Sequence, residues 1–347
     1  MKILHLLQSD RFSGAENVVC QIIGMLRDMP DIEMVYCSTD GQIREALAER
    51  GIRFVPLERF TVENVRAAIR AEAPDMIHAH DMRASFYAAR ACGKIPLVSH
   101  IHNNNFDSRG ISPKSVAYMF AAAKAKHIFW VSQSSFDGYA FHRLLAGKST
   151  VLYNIIDIVK TEAKMRADAE VYPYDVAYVG RLTHQKNPER LVRVLRLVHE
   201  RLPQANFAVV GTGDLAEATA AAARECGLDG CVRFFGFMAN PLKLLADSKV
   251  MVMTSLWEGT PMCALEALAL GVPIVSTPTD GLRDLITTGE NGILADTDEG
   301  LADGIATLLT DTERQARMSA AARAFSVRYN DMQKYRAALL AVYKDKN

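Results

Sequence analysis

The chain has 347 residues, 49% of them hydrophobic and 23% charged, with 40 Lys and Arg balanced by 40 Asp and Glu. This is the composition of a soluble globular protein, and it excludes a disordered chain. Zero net charge gives no support to a nucleic-acid partner held by bulk charge, and the length suits two domains.

The first segment, MKILHLLQSD, carries one Lys and a short apolar run. It is too short for a signal-peptide core with a cleavage site or for a membrane span, and it reads as a buried strand. Further strands are expected at EMVYCST, RFVPL, DMIHAH, PLVSHIH, HIFWVS and STVLY. Helical patterns lie between them at Ala15–Leu26, Ile43–Arg50, Val62–Glu72 and Arg83–Cys92. Strand–helix alternation at this spacing predicts βαβ units and a parallel sheet covered on both faces. A charged segment near residues 158–174, ending in Tyr-Pro-Tyr, reads as a linker. The alternation then restarts with YDVAYVG and runs through NFAVVG, VRFFG, VMVMTS, VPIVST and GILAD. The fold class is therefore α/β, with two doubly wound parallel sheets in series. Open parallel sheets bind ligands in loops at the carboxyl ends of their strands, so functional residues are expected there.

Six cysteines (Cys20, Cys37, Cys92, Cys226, Cys231 and Cys263) are scattered without a C-x-x-C pair. They fit reduced, buried thiols of a cytosolic protein.

After the first strand, SDRFSGAENVV opens a helix with small residues, Gly14 among them, where backbone can approach a phosphate or sugar. A simple turn fits the same spacing. Two H-x-H pairs, His78/His80 and His100/His102, end neighbouring strands, and alternate residues of a strand share a face. Four such histidines could hold zinc, but no carboxylate or Cys set completes a site, and polar strand-end histidines are commoner. Asn103, Asn104 and Asn105 then form a polar loop suited to hydroxyl recognition. The segment SPKSVAYMFAAAKAKHIFW mixes apolar residues with Lys114, Lys124, Lys126 and His127. It fits an interfacial helix on a membrane, and better fits a helix packed on the sheet before a buried strand.

In YVGRLTHQKNPERLV, a strand ends at Val179, Gly180 allows a close turn, and Arg181 and Lys186 follow at the strand mouth. A guanidinium and an ammonium on one loop suit a diphosphate; two solvated surface cations are the plain alternative. VVGTGDL holds Gly211 in a Gly-Thr-Gly turn, but position 216 is Ala, so the full dinucleotide fingerprint is missing and a dehydrogenase is disfavoured.

SLWEGTPMCALEALALG carries two glutamates eight apart. Thr260 is a good N-cap, Pro261 suits the first helical position, and Gly271 is a natural stop. Glu258 then lies in the strand-to-helix loop, and Glu266 inside a helix apolar on nearly all sides. An unpartnered buried carboxylate is costly. Either Glu266 bonds to nearby backbone or an Arg while Glu258 is solvated, or both accept from hydroxyls of a polyol ligand.

Together, Ser-Gly-Ala-Glu, the later H-I-H, VGRLTHQKN, VVGTGD, VRFFGF and E-G-T-P-x-x-x-x-E before ALALGVPIVST resemble the retaining glycosyltransferases of family four. The resemblance covers nearly the whole chain and is looser in its first half. It implies the glycosyltransferase B fold, two facing Rossmann-like domains at 1–160 (acceptor) and 161–327 (donor), with a C-terminal helix at 328–347 crossing back to the first. It implies transfer of a hexose-type sugar from a nucleotide diphosphate sugar, a UDP-sugar ahead of a GDP-sugar, to a hydroxyl of a sugar or lipid-linked acceptor. Surface polysaccharide or glycolipid assembly is the implied setting, in the cytoplasm and at the inner membrane face where the membrane is contacted.

The resemblance also implies roles. Arg181 and Lys186 would hold the diphosphate and stabilise the charge that builds as the sugar–phosphate bond breaks. Glu258 would contact the transferred sugar and Glu266 the ribose, with neither needing a raised pKa. His102 would sit by the reacting sugar. Gly14, Gly180 and Gly211 would lie near the donor, as would Gly259, Thr260, Pro261 and Met262. Phe237 and Met238 would border the base. No metal or other cofactor is implied, and no carboxylate acts as a covalent nucleophile. The chain departs from the family at Asn154-Ile155-Ile156-Asp157 and at Asp284, where a Glu is usual. An epimerase or hydrolase on the same fold, or a partner subunit that only binds nucleotide sugar, are the alternatives.

Overall fold

The computed structural model describes residues 1–102 and 110–345. Asn103, Asn104 and Asn105 lie outside the described residues. The chain divides into two compact units, Met1–Asn154 with Met332–Asn347, and Ile155–Asp331.

The first unit holds seven strands: β1 (Lys2–Leu6), β2 (Glu33–Thr39), β3 (Phe54–Leu57), β4 (Met76–His80), β5 (Leu97–Ile101), β6 (His127–Trp130) and β7 (Ser149–Val151). They form one sheet in the order β3-β2-β1-β4-β5-β6-β7, parallel throughout. β4 and β5 are buried at every residue, as the near-continuous apolar runs of a sheet covered on both faces require. Helices Gly14–Leu26, Ile43–Glu49, Val62–Glu72 and Asp81–Ala91 follow the first four strands. Each lies within two residues of its expected bounds at both ends. Strand order reverses between β1 and β4, so the loops after those two strands flank the switch point.

Helix Pro113–Lys124 inserts Tyr118 into the core, edge-on to Trp130 and Tyr139. It is thus the packed helix that the sequence favours, yet it leaves Val116 and Phe120 exposed, with Ile111 just before it. The final helix, Met332–Tyr343, belongs to the first unit and buries Tyr335, Leu339 and Tyr343 there. It is separated from helix Thr312–Tyr329 by Asn330 and Asp331.

The second unit has six strands: β8 (Val176–Val179), β9 (Phe207–Val210), β10 (Val232–Gly236), β11 (Val250–Met253), β12 (Ile274–Ser276) and β13 (Gly292–Leu294). Their order is β10-β9-β8-β11-β12-β13, again all parallel, with the switch point between β8 and β11. The segment expected as a linker instead contains the helix Ile158–Arg166, capped by the Asp157 side chain, which accepts from Lys160 N–H at 3.0 Å. Asp157 is an N-cap whose carboxylate satisfies an orphan amide.

No helix among the described residues is long and apolar enough to cross a membrane. Cys20, Cys37 and Cys92 are buried, while Cys226, Cys231 and Cys263 are half-buried, and all six are free.

Candidate functional site

In the second unit, the loops after β8 and β11 meet at the switch point. Gly180 follows β8, and its carbonyl faces Gly211. A Cβ on Gly211, whose φ is +137°, would lie 1.9 Å from that oxygen. One on Gly213 would lie 2.2 Å from the Leu182 carbonyl. Close backbone packing alone therefore demands the Gly-Thr-Gly sequence. Past Gly180, Arg181 is exposed, and a short 3-10 turn over His184–Lys186 leads to Asn187 at φ +51°. Asn187 caps helix Pro188–Arg201, its side chain accepting from Arg190 N–H at 3.4 Å.

Lys186 turns inward. Its ammonium donates to Glu258 Oε1 at 2.5 Å, the side chains being 12% and 5% exposed. Ser255 Oγ donates to the same oxygen at 2.6 Å. Thr254 Oγ1 donates to the carbonyls of Lys186 and Asn187, each at 3.1 Å, and Gln185 Nε2 to that of Trp257 at 3.0 Å. The two loops are thus laced together around one buried ion pair. Burial alone would lower the Lys186 pKa, but the Glu258 carboxylate outweighs it and holds the ammonium above its ordinary value. Arg181 makes only a long contact to Gln185 Oε1, at 3.5 Å. Both cations therefore lie on one loop as expected, but only Arg181 is solvated, and Glu258 is buried, not a free loop acid.

Gly259, Thr260, Pro261 and Met262 follow and are all buried. Helix Met262–Ala269 begins one residue later than expected. Pro261, at φ −71° and ψ 125°, is the N-cap, so Thr260 is not. Gly271, at φ +74°, stops the helix as expected. Gly281 presses against this loop, and a Cβ there would lie 1.2 Å from the Gly259 carbonyl oxygen.

Glu266 is half-buried. Among the described residues its carboxylate makes no hydrogen bond or ion pair, so the backbone or Arg partner of the plain reading is not found. Burial pushes its pKa up to about 7, with Lys164 pulling it down. Phe237 stands 68% exposed and Met238 half-buried after β10, where Gly236 turns the chain at φ +66°.

In the first unit, Gly14 opens helix Gly14–Leu26, and Ser13 N–H donates to the Glu16 carboxylate at 3.1 Å in a capping box. His102, just past β5, is buried, and its N–H donates to Asp81 Oδ1 at 2.9 Å. Asp81 itself sits at φ +68°, a conformation a non-glycine residue adopts at a cost, directly after β4. His80 is the last residue of β4 and His102 follows β5, so these are strand-end histidines, but they are buried rather than solvated. His5, His78, His80, His100 and His102 all lie buried on one face of β1, β4 and β5, where His5 pairs with His78 and His80 with His100. Burial pushes His5 and His102 down to about 3 and the other three well below the usual value, so all are neutral.

Two triads of these rings, His5–His78–His80 and His80–His100–His102, bring one nitrogen of each member within 4.8 Å of the others. A tetrahedral zinc with bonds of about 2.0–2.1 Å needs its nitrogens roughly 3.3 Å apart. His100 and the Nε2 of His78 make no hydrogen bond among the described residues, while His80 is hydrogen-bonded to a neighbouring ring on each side.

Sequence reasoning missed His5, Asp81, Thr254, Ser255 and Gly281. Only His5 carried a signal, as a lone polar residue in the apolar run of the first strand.

Comparison with known proteins agrees with this fold. Residues 12–160 match the family described as Glycosyltransferase Family 4, and residues 160–325 match Glycosyl transferases group 1. An uncharacterized glycosyltransferase of Methanocaldococcus jannaschii is 28% identical over 60% of this chain and 57% of its own length. The glycogen synthase of Mycobacterium tuberculosis is 25% identical over 79% of this chain and 69% of its own length. Among solved structures, Anabaena HepE in complex with UDP and glucose superposes with a TM-score of 0.87, covering 99% of this chain and all of that one at 24% identity. With both halves of the chain matched in sequence and two all-parallel sheets matched in structure, the chain belongs to the family 4, group 1 glycosyltransferases of the GT-B fold.

Proposed function

We propose that the protein is a retaining, metal-independent glycosyltransferase that moves a hexose-type sugar from a nucleotide diphosphate sugar to a hydroxyl acceptor. The observation that carries this reading is the buried Lys186–Glu258 pair at the β8/β11 switch point, with the exposed Arg181 on the same loop and Glu266, which has no hydrogen bond or ion pair among the described residues, on the helix that follows. A buried ion pair is weak evidence for stability, because desolvation offsets much of its attraction. Placed where open sheets bind ligands, the pair suits a diphosphate and sugar instead.

Arg181 binds diphosphate oxygens in two-pronged fashion and Lys186 adds a fixed positive charge. Charge grows on the diphosphate as the sugar–phosphate bond breaks, so both act on the transition state more than on binding. Glu258 accepts from hydroxyls of the transferred sugar and Glu266 from the ribose, with the amides of Gly259–Met262 facing the donor. Gly180 and Gly211 let the backbone approach the donor, and Phe237 and Met238 border the base. On the acceptor side His102 and Gly14 face the reacting sugar and the donor phosphates. The attacking hydroxyl arrives on the leaving-group side, and no carboxylate serves as a covalent nucleophile.

UDP is the favoured base carrier, supported by the UDP complexes of the similar Anabaena protein. The acceptor is a sugar or lipid-linked sugar of surface polysaccharide or glycolipid assembly, with a cytoplasmic location. The exposed Ile111, Val116 and Phe120 beside Lys114 support peripheral contact with the inner membrane face.

Calorimetric titration with UDP, GDP, ADP and their sugar conjugates tests the reading, with Lys186→Ala alongside. Selective binding of one diphosphate, weakened in the variant, is expected. A folded protein that binds none of them would point to a partner subunit instead.

A further inference from the structure

The five buried histidines of the first unit are more than a polar core. His5 Nδ1 lies 3.0 Å from His80 Nε2, and His80 Nδ1 lies 2.8 Å from His102 Nε2. Both nitrogens of His80 are engaged, and a neutral imidazole carries one proton. His80 must therefore donate on one side and accept on the other, so the chain His5–His80–His102 has one of two polarities. In the first, His5 donates to His80, His80 donates to His102, and His102 keeps its own proton on Nδ1. In the second, every donor is reversed and His5 keeps an unpaired N–H on Nε2.

The two free ends decide between them. His5 Nε2 and His102 Nδ1 both lack a partner among the described residues. His5 is wholly buried, whereas His102 lies at the strand's carboxyl end and is 6% exposed. An orphaned buried N–H is rarer in folded proteins than an under-satisfied acceptor. Both end nitrogens are buried, so either polarity leaves one N–H without a partner among the described residues; the first places it at the carboxyl end of β5, where a ligand of the parallel sheet can take it up, and leaves only a lone pair at His5 in the interior. His100 and His78 stack on the chain, with centroids 4.2 Å from His102 and 4.3 Å from His80, but form no link in it.

We propose that His80, backed by His5, is a positioning residue that fixes His102 as the tautomer protonated on Nδ1, presenting an N–H donor at the carboxyl end of β5. Its consequence rests on the transferase reading: the N–H would donate to a sugar hydroxyl oxygen or to a diphosphate oxygen, and a ring presenting a lone pair would instead repel the diphosphate and could only accept from the hydroxyl. The backbone is held to match, because Asp81, the residue directly after His80, accepts from the His102 amide.

The test is a ring-nitrogen NMR spectrum of the full-length protein labelled with 15N-histidine, with His102 assigned by the signal lost in His102→Gln. The wild type should show His102 as a single tautomer protonated on Nδ1. His80→Phe, shown folded by circular dichroism, should release it to a mixture, while His100→Phe, which removes a stacking ring but no hydrogen bond, should not. In a transfer assay His80→Phe should lower kcat roughly tenfold to hundredfold with the donor KM little changed.

A wild-type His102 protonated on Nε2, or an unchanged tautomer in folded His80→Phe, would overturn the proposal. So would elemental analysis that finds a transition metal on these rings. The spectra need neither nucleotide nor turnover. Failure of the transferase reading would leave them unchanged, and a wrong tautomer with normal UDP binding would defeat this proposal alone.

Discussion

Lys186 and Arg181 stand five residues apart on one loop, yet removing them should have different costs. Arg181 is exposed, so Arg181→Ala should cut turnover by about 10²–10³ and leave the denaturation midpoint nearly unmoved. Lys186→Ala strands the Glu258 carboxylate in a site where it is 5% exposed, so it should also cost about 3–5 kcal/mol of stability. Pairing Lys186→Met with Glu258→Gln should restore most of that stability in urea titrations but none of the turnover. Glu266 adds a pH dependence. Its folded pKa of about 7 lies above its ordinary 4.5, so the native state holds an extra proton between those values. Its contribution to stability is therefore full below pH 4.5 and is lost as pH rises through 7. Glu266→Gln should flatten that fall, on the order of 1 kcal/mol because solvent reaches the half-buried carboxyl. Equal slopes for wild type and variant between pH 5 and 8 would count against an unpartnered carboxyl. The sequence displayed Arg181, Lys186, Glu258 and Glu266 through charge and spacing. It could not display that Lys186 turns inward, because that depends on β8 and β11 lying side by side.

At the level of elements, the strands and most helices were readable because apolar runs and 3.6-residue periods are local. The start of helix Met262–Ala269 was misplaced by one residue because Thr260 and Pro261 each favour a helix start. The packing of Gly281 on Gly259 decides where that loop ends and the helix begins. Helix Ile158–Arg166 was hidden in a charged stretch that buries little more than Thr161, so it has no strong apolar stripe. Gly281→Ala is the sharpest test at this scale. No side chain can yield, because the added carbon would meet backbone, so the Gly259–Thr260 loop must move. A loss of about 1–3 kcal/mol and of nucleotide binding is expected. A variant with normal calorimetric binding would show that this loop does not shape the donor site.

Across the whole molecule, two Rossmann-like sheets follow from strand–helix alternation repeated twice. The point of return to the first unit, at Met332, does not follow from it. Which sheet the last helix joins depends on the surface that Tyr335, Leu339 and Tyr343 bury, and that surface is built from residues far away in sequence. Tyr343 OH, for instance, lies 2.6 Å from His78 Nδ1. A chain stopped after Asp331 should therefore keep a cooperatively folded second unit that still binds UDP, while the first unit loses a covering helix. Two calorimetric unfolding transitions, with only that of the first unit lowered, would be the signature. A single transition lowered as a whole would show the units to be energetically inseparable.

The return of the last helix also orders events at the ribosome. The first unit emerges ahead of the second, but its closing helix is made after the second. Throughout synthesis of the second unit the earlier one waits with an uncovered apolar face, and chaperones that hold such faces have that whole interval in which to act. The second unit is one continuous stretch, Ile155–Asp331, and should reach its native state before the first.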